Sequence, residues 1–439
     1  MATLGCKVNQ YDSALLSEAL SSLGFRPIPF GAEADCFIVN TCTVTERTDY
    51  QSRQLLRRAL RANPRAMVVA TGCYAQTRAS DLIRIPGITL IAGNREKGDL
   101  PKTIATLWQR KVQGLPLEPE VLVSPCATDL PEAIRSLDRF PDHTRAFLKI
   151  QDGCNAFCSY CIVPYARGRS RSLAPGEVLE RLFRLARGGF QEVVLTGIHL
   201  GAYGQDQHPP TDLARLLRSI ETERPVGRLR LSSIEPREIT DGLLSVLSDA
   251  RTLCPHLHIP LQSGDDRVLG LMNRHYDRGF FSDTVQRILS ARPDTALGLD
   301  VMAGFPGEDE GAFEKTCELI DSLPIAYLHV FPFSCRPGTR AAEMNLQVRA
   351  EEKKGRAGRL RLLGERKRQV FMERFVGRPL RVLVEGGRPE TNGPLKGFSE
   401  HYLPVALSGG GPELVNRVVT VVARGIARGM LQAEGYGHG

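Results

Sequence analysis

The chain has no run of about 18 apolar residues, the length a helix needs to cross a bilayer, so no transmembrane helix is expected. Its opening residues, MATLGCKVNQYDS, lack the basic and apolar segments of a secretory leader, which points to the cytosol. There is no repeat of fixed period and no long low-complexity tract, which sets solenoid and disordered architectures aside. The most informative absence is local. The stretch GCNAFCSYCIVPYARGRSRS, residues 153–172, holds three cysteines and no fourth thiol or imidazole.

Hydrophobic residues make up 42% of the 439 and charged residues 24%, as in soluble globular proteins, and the length suggests two to four domains. In a reducing compartment the 11 cysteines read as thiols or metal ligands, not as a disulfide framework. The net charge of +8 is uneven: residues 351–380 hold ten Lys/Arg against four Asp/Glu. Such a stripe suits a polyanion, nucleic acid being the commonest, although a solvated helix face would look the same.

Residues 1–110 alternate short apolar runs (MATLG, DCFIVN, AMVVATG, TLIAGN) with helical patterns at 12–23, 46–62 and 97–109, which predicts a parallel-sheet α/β domain. Residues 111–142 carry five prolines and read as a linker. Six further strand patterns follow at 146–150, 192–197, 228–233, 257–261, 297–302 and 326–331. Helical patterns lie near 175–187, 211–222, 239–249, 278–291 and 309–322. This predicts a partial (βα)6 barrel with functional residues in the loops after the strands. A basic helix at 350–375 closes the span 143–375. RPLRVLVEG, HYLPVALSG and RVVTVVARGIARGMLQAEG then predict a small antiparallel β-barrel over 376–439.

Cys154, Cys158 and Cys161 are spaced C-x3-C-x2-C in the loop after the first barrel strand. A structural zinc site is normally closed by four ligands. Three thiolates instead suit three irons of a [4Fe–4S] cluster and leave the fourth iron open. S-adenosylmethionine can chelate that iron through its amino and carboxylate groups, and reductive cleavage then yields a 5′-deoxyadenosyl radical. The pattern resembles the radical S-adenosylmethionine superfamily. Tyr160 is a candidate neighbour of the adenine. Arg167, Arg169 and Arg171 are candidates for gripping a carboxylate or phosphate, or are surface charge.

Cys6, Cys42 and Cys73 are far apart in sequence, yet each follows a predicted strand (TLGC, VNTC, ATGC). The carboxyl ends of neighbouring parallel strands share one edge, so the three converge there. Asn40, Thr41, Thr71 and Gly72 are expected to turn the chain and offer donors to sulfur. TLGCKVNQYDS, NTCTVT and TGCYAQ resemble the signature of the methylthiotransferase family, and the resemblance covers nearly the whole chain, with a TRAM-like RNA-binding barrel at its end. It implies a second [4Fe–4S] cluster on Cys6, Cys42 and Cys73, again with one open iron, which carries the sulfur to be donated. Cys36, Cys126, Cys254, Cys317 and Cys335 match no motif and read as incidental thiols.

After the other barrel strands, Thr196, Gly197, Ser233, Glu235, Gln262 and Asp300 form the expected S-adenosylmethionine pocket. His256, His258 and His329 read as satisfied core histidines. TLGCKVNQ, LTGIHLGAYG, SSIEP and LHVFPFS resemble the branch acting on N6-threonylcarbamoyladenosine in tRNA. Arg169 and Cys335 depart from the residues expected there. That branch implies conversion of the nucleoside beside the anticodon to its 2-methylthio derivative, using two molecules of S-adenosylmethionine. One methylates the cluster-held sulfur; the other yields the radical that takes the hydrogen from C2 of the adenine. The N-terminal sheet is then expected over the barrel mouth. The implied partners are the tRNA anticodon stem-loop, a sulfur source and an electron donor such as flavodoxin or ferredoxin. Arg167, Arg169 and His199 are candidate contacts to the threonylcarbamoyl group. Phe398 and Tyr402 either stack on a base or fill the small barrel. Three alternatives stay open: methylthiolation of isopentenyladenosine, a non-catalytic iron–sulfur RNA-binding sensor, and a zinc protein.

Overall fold

The computed structural model describes residues 1–126, 143–386 and 393–438. Two compact units emerge. Within the described residues the first comprises 1–126, 151–172 and 334–342, and the second comprises the rest.

The first unit is built on a parallel sheet of β1 (Ala2–Thr3), β2 (Cys36–Thr41), β3 (Met67–Gly72), β4 (Leu90–Ala92) and β5 (Glu120–Leu122), paired in that order. β3, MVVATG, is buried at every position because helices cover both faces, so it reads as a continuous apolar run. Val68 and Ala70 pack with Leu56 and Ala59 on one face, while Met67 and Val69 pack with Leu16 and Ile104 on the other. Helix Glu46–Ala62 starts where Thr45 and Thr48 form a reciprocal capping box. β5 corrects the linker reading of 111–142: Glu120–Leu122 pairs along β4 as a fifth strand. Its three residues are too short for alternation to show. The remainder of that linker, 127–142, lies outside the described residues.

In the second unit lie β6 (Arg145–Lys149), β9 (Glu192–Thr196), β10 (Arg228–Leu231), β11 (His256–Gln262), β12 (Ala296–Ala303) and β13 (Tyr327–Pro332). Between β6 and β9 the chain forms a short pair in the first unit, β7 (Gln151–Asp152) and β8 (Arg171–Ser172). The six barrel strands form two parallel sheets, ordered β10-β9-β6 and β11-β12-β13. The sheets meet where Leu229 bridges Leu253 and Ile234 donates to the His258 carbonyl. Among the described residues no ladder joins β6 to β13, so the barrel is open, as expected of a (βα)6 arc. Asp212, Asp265, Asp277 and Asp309 each accept a backbone N–H at a helix start, which marks where the helices begin.

The chain ends in a closed barrel of β14 (Pro379–Glu385), β15 (Leu395–Ser399), β16 (Pro404–Ser408), β17 (Val418–Ala427) and β18 (Met430–His438), ordered β14-β15-β16-β18-β17. Two features differ from the expectation. β15, LKGFS, shows no apolar alternation because its buried positions hold Gly397 and Ser399. β16 and β18 run parallel, while the other pairs are antiparallel. An ion network fastens this barrel to the strands beneath. Buried Glu192 meets Arg230 at 2.9 Å and Arg228 at 2.8 Å, and these arginines donate to the carbonyls of Arg381, Phe398, Ser399 and Glu400. Burial alone would raise the Glu192 carboxyl, but the arginines outweigh it and hold the pKa down to about 2.

His401 sits in the same region with its ring 4.4 Å from Phe375. Burial first, and then Arg292, Arg230, Arg374 and Arg228, push its pKa from 6.5 down to about 3. It is neutral when folded and gains a proton when unfolded. Its stabilising contribution is therefore present above pH 6.5 and is lost as pH falls through that value towards 3. Denaturant unfolding of the second unit should lose about 2 kcal/mol between pH 6.5 and 5 on this account, and His401→Gln should flatten that slope. An equally steep slope in the variant rules the assignment out.

Candidate active site

Three loops at the carboxyl edge of the first unit's sheet carry Cys6, Cys42 and Cys73. Cys6 caps helix Lys7–Ser22, and Cys73 opens the short helix Cys73–Thr77. Gly5 has φ +93°, and a Cβ on it would lie 2.7 Å from the Cys42 sulfur, so only glycine lets that thiol approach the Cys6 loop. Burial, then Cys73 and also Cys6, push the Cys42 thiol up to about 12. Cys42 thus feels the charge of the other two thiols. The expected sulfur donors are otherwise engaged. Asn40 donates to the Asn9 carbonyl and to Ser13, Thr41 to the Thr71 carbonyl, and Thr71 to the Gly93 carbonyl. One side chain that does reach sulfur is Asn94, missed in the sequence, whose amide lies 3.7 Å from Cys73 Sγ.

The loop with Cys154, Cys158 and Cys161 belongs to this same unit. Its neck is the β7–β8 pair, with Gln151 donating to the Gly153 carbonyl and to Ser170. Asn94 donates also to the Ala166 carbonyl at 2.7 Å, so one amide links the two triads' loops. Arg336 bonds Asp49 and the Thr43 carbonyl, and Ala341 donates to the Ser159 carbonyl, joining segment 334–342 to both.

Arg167 is corrected here. It is only 3% exposed, and its guanidinium bonds Asp152, Asn9 and Asp12. Burial works against its charge, but Asp152, Cys73, Asp12 and Cys6 more than offset this and raise its pKa well above the ordinary value. It is a fixed cation beside the first triad, not an open hand for substrate. Arg171 donates to the carbonyls of Arg167 and Arg169, while the Arg169 residue is exposed. Tyr160 is half-buried on the loop.

In the second unit, Thr196 is buried at the end of β9, Gly197 follows half-buried, and Ser233 is exposed after β10. Glu235 pairs with Arg274; burial raises its pKa despite that arginine. His199 Nε2 lies 2.7 Å from Glu238. Gln262 ends β11 at a bulge with φ +65°, and its buried Oε1 has no partner. A strained backbone presenting an orphaned buried oxygen is what a polar ligand's donor would satisfy. Asp300 departs from the pocket expectation and meets His258 and His329 instead. Phe398 and Tyr402 stack on each other under Arg145, and Tyr402 also lies under Arg230 and against His256, so they are not open platforms for bases.

Two sets of three thiols, one beside a buried cation and an amide N–H, fit iron–sulfur clusters, whose sulfurs are tuned by such donors and charges. Residues 1–93 match the family described as "Uncharacterized protein family UPF0004", and residues 148–320 match the Radical SAM superfamily. The solved radical S-adenosylmethionine methyltransferase TsrM from Kitasatospora setae, with tryptophan and aza-SAM bound, shares the fold. Its TM-score is 0.55 at 17% identity, over 76% of this chain and 72% of that one. Fold and loop thus define a radical S-adenosylmethionine protein, a class that implies the cofactor and a [4Fe–4S] cluster.

The chain is 37% identical to threonylcarbamoyladenosine tRNA methylthiotransferase MtaB of Bacillus subtilis (strain 168), over 95% of this chain and 92% of the relative. It is 38% identical to the protein of that name from Aquifex aeolicus (strain VF5), over 87% and 91%. It is also 34% identical to tRNA-2-methylthio-N(6)-dimethylallyladenosine synthase of Pelotomaculum thermopropionicum (strain DSM 13744 / JCM 10971 / SI), over 96% and 94%. The chain belongs to the radical S-adenosylmethionine tRNA methylthiotransferase family. Among the described residues no helix is long and apolar enough to cross a membrane.

Proposed function

We propose that this protein methylthiolates C2 of N6-threonylcarbamoyladenosine beside the anticodon of tRNA, in the cytoplasm. The observation that carries the reading is the pairing of two three-cysteine sets in one unit, together with full-length likeness to relatives named for that nucleoside. Cys154, Cys158 and Cys161 would hold the cluster that supplies the radical from S-adenosylmethionine. Cys6, Cys42 and Cys73 would hold a second cluster, with Asn94 donating to the Cys73 sulfur and Arg167 balancing thiolate charge. Thr196, Gly197, Ser233, Glu235 and Gln262 are the barrel candidates for binding the cofactor, and Tyr160 for its adenine. Arg169 and His199 remain candidates for the threonylcarbamoyl group. A sulfur source and an electron donor of flavodoxin or ferredoxin type complete the reaction.

The test is anaerobic incubation of the reconstituted protein with S-adenosylmethionine, sulfide, reductant and tRNA carrying both candidate adenosines, followed by mass spectrometry of the nucleosides. Methylthio on the threonylcarbamoyl nucleoside is expected. Product only on the dimethylallyl nucleoside would keep the chemistry and overturn the branch.

RNA binding would draw on the basic helix Ala350–Glu373. Arg356, Arg359 and Lys367 are engaged with Glu310, Glu314 and backbone carbonyls of the second unit. Lys354, Arg361 and Arg366 are exposed. Changing all three to Glu should make the plot of log affinity for tRNA against log salt shallower by about 2–3, since each lost phosphate contact removes about 0.7–0.9. An unchanged slope places the RNA elsewhere.

A further inference from the structure

Three adjacent parallel strands of the second unit present His258 (β11), Asp300 (β12) and His329 (β13). His258 Nε2 lies 3.0 Å from Asp300 Oδ1, and His329 Nδ1 lies 3.5 Å from the same oxygen. All three donor atoms lie within 4.8 Å of one another. We propose that His258, Asp300 and His329 form a site for a divalent cation of the zinc class, separate from both cysteine triads, with one coordination position left for water or an oxygen ligand.

The spacing fits. Tetrahedral coordination with bonds of about 2.1 Å sets donors about 3.4 Å apart, which both measured separations approach. The donor set is two imidazoles and one carboxylate, which suits zinc and neighbouring divalent ions and disfavours soft thiophilic ones.

The surroundings support the ligands. The Tyr327 hydroxyl lies 3.1 Å from His258 Nδ1 and 2.7 Å from His256 Nε2. It thereby fixes the ring whose other nitrogen faces the site, as outer groups of metal sites do. Tyr327 reaches across β12 only because residue 298 is glycine: a Cβ there would lie 2.1 Å from the tyrosine ring. His258 is buried, whereas the His329 side chain is 59% exposed, which gives an entry path and an open side.

The test uses the full chain with its clusters loaded, and is read without tRNA. The protein is dialysed anaerobically against micromolar zinc, and zinc and iron are counted together. One zinc per chain is expected beyond the iron, bound at least tenfold more weakly in Asp300→Asn and His329→Ala, with iron unchanged. His329→Ala alters an exposed side chain and leaves the packing intact. Zinc-edge X-ray absorption should show only nitrogen and oxygen neighbours near about 2.0–2.2 Å, without the sulfur shell near about 2.3 Å. A sulfur shell, equal zinc in wild type and both variants, or no zinc in wild type overturns the proposal. A failed nucleoside assay would leave these readings unaffected.

Discussion

Cys73→Ala should abolish methylthiolation and leave cleavage of S-adenosylmethionine in place. Cys73 acts on Cys42 at the sheet edge, and its loss would remove one ligand of the proposed second cluster. Product formation should fall by more than about 100-fold, beyond the 10–100-fold typical of losing a group that only supports a ligand. The loop of Cys154, Cys158 and Cys161 keeps its own contacts, because Asn94 still donates to the Ala166 carbonyl and the β7–β8 neck is untouched. Formation of 5′-deoxyadenosine under reduction should therefore persist in Cys73→Ala and vanish in Cys154→Ala. Loss of cleavage in both would show that the two sites are not chemically separable.

Arg167→Met should destabilise the first unit by about 3–5 kcal/mol, the range for removing one partner of a buried ion pair. Asp152 loses its bidentate guanidinium and keeps the Gly153 N–H, while Asp12 keeps Lys97 at 2.9 Å. Packing volume is nearly conserved, so the cost is electrostatic. Denaturant unfolding of the first unit reads it directly. The double change Arg167→Met with Asp152→Asn should recover part of the loss, because the stranded carboxylate is gone. A drop below about 1 kcal/mol in the single variant would mean that water or a neighbour takes over the arginine's role.

Much of the candidate site was legible because iron–sulfur ligation would demand a residue type. Six cysteines in two sets of three stand out by spacing and by their positions after strands, and repeating strand–helix patterns place them. The supporting shell was not legible. Arg167 bonds Asp12 across 155 residues and Asn94 reaches Ala166 across 72, and nothing in local periodicity marks such contacts. The loop of residues 151–172 reads as part of the barrel because it follows a barrel strand, yet it packs in the first unit through those buried polar bonds. Asp300 looked like a cofactor contact because polar residues near strand ends often are. Only the register with β13 shows that it meets His329. β15 escaped because its buried positions hold Gly397 and Ser399 in place of apolar side chains.

The central claim is that two separate clusters share one unit, each held by three thiols. Mössbauer spectroscopy with iron counting on the anaerobically reconstituted chain tests it most directly. Two clusters correspond to about eight irons per chain. Replacing Cys6, Cys42 and Cys73 by alanine should leave about four, and so should replacing Cys154, Cys158 and Cys161, each remainder keeping a four-iron signature. About four irons in the wild type, lost completely when either set is replaced, would mean one shared cluster and would contradict the account.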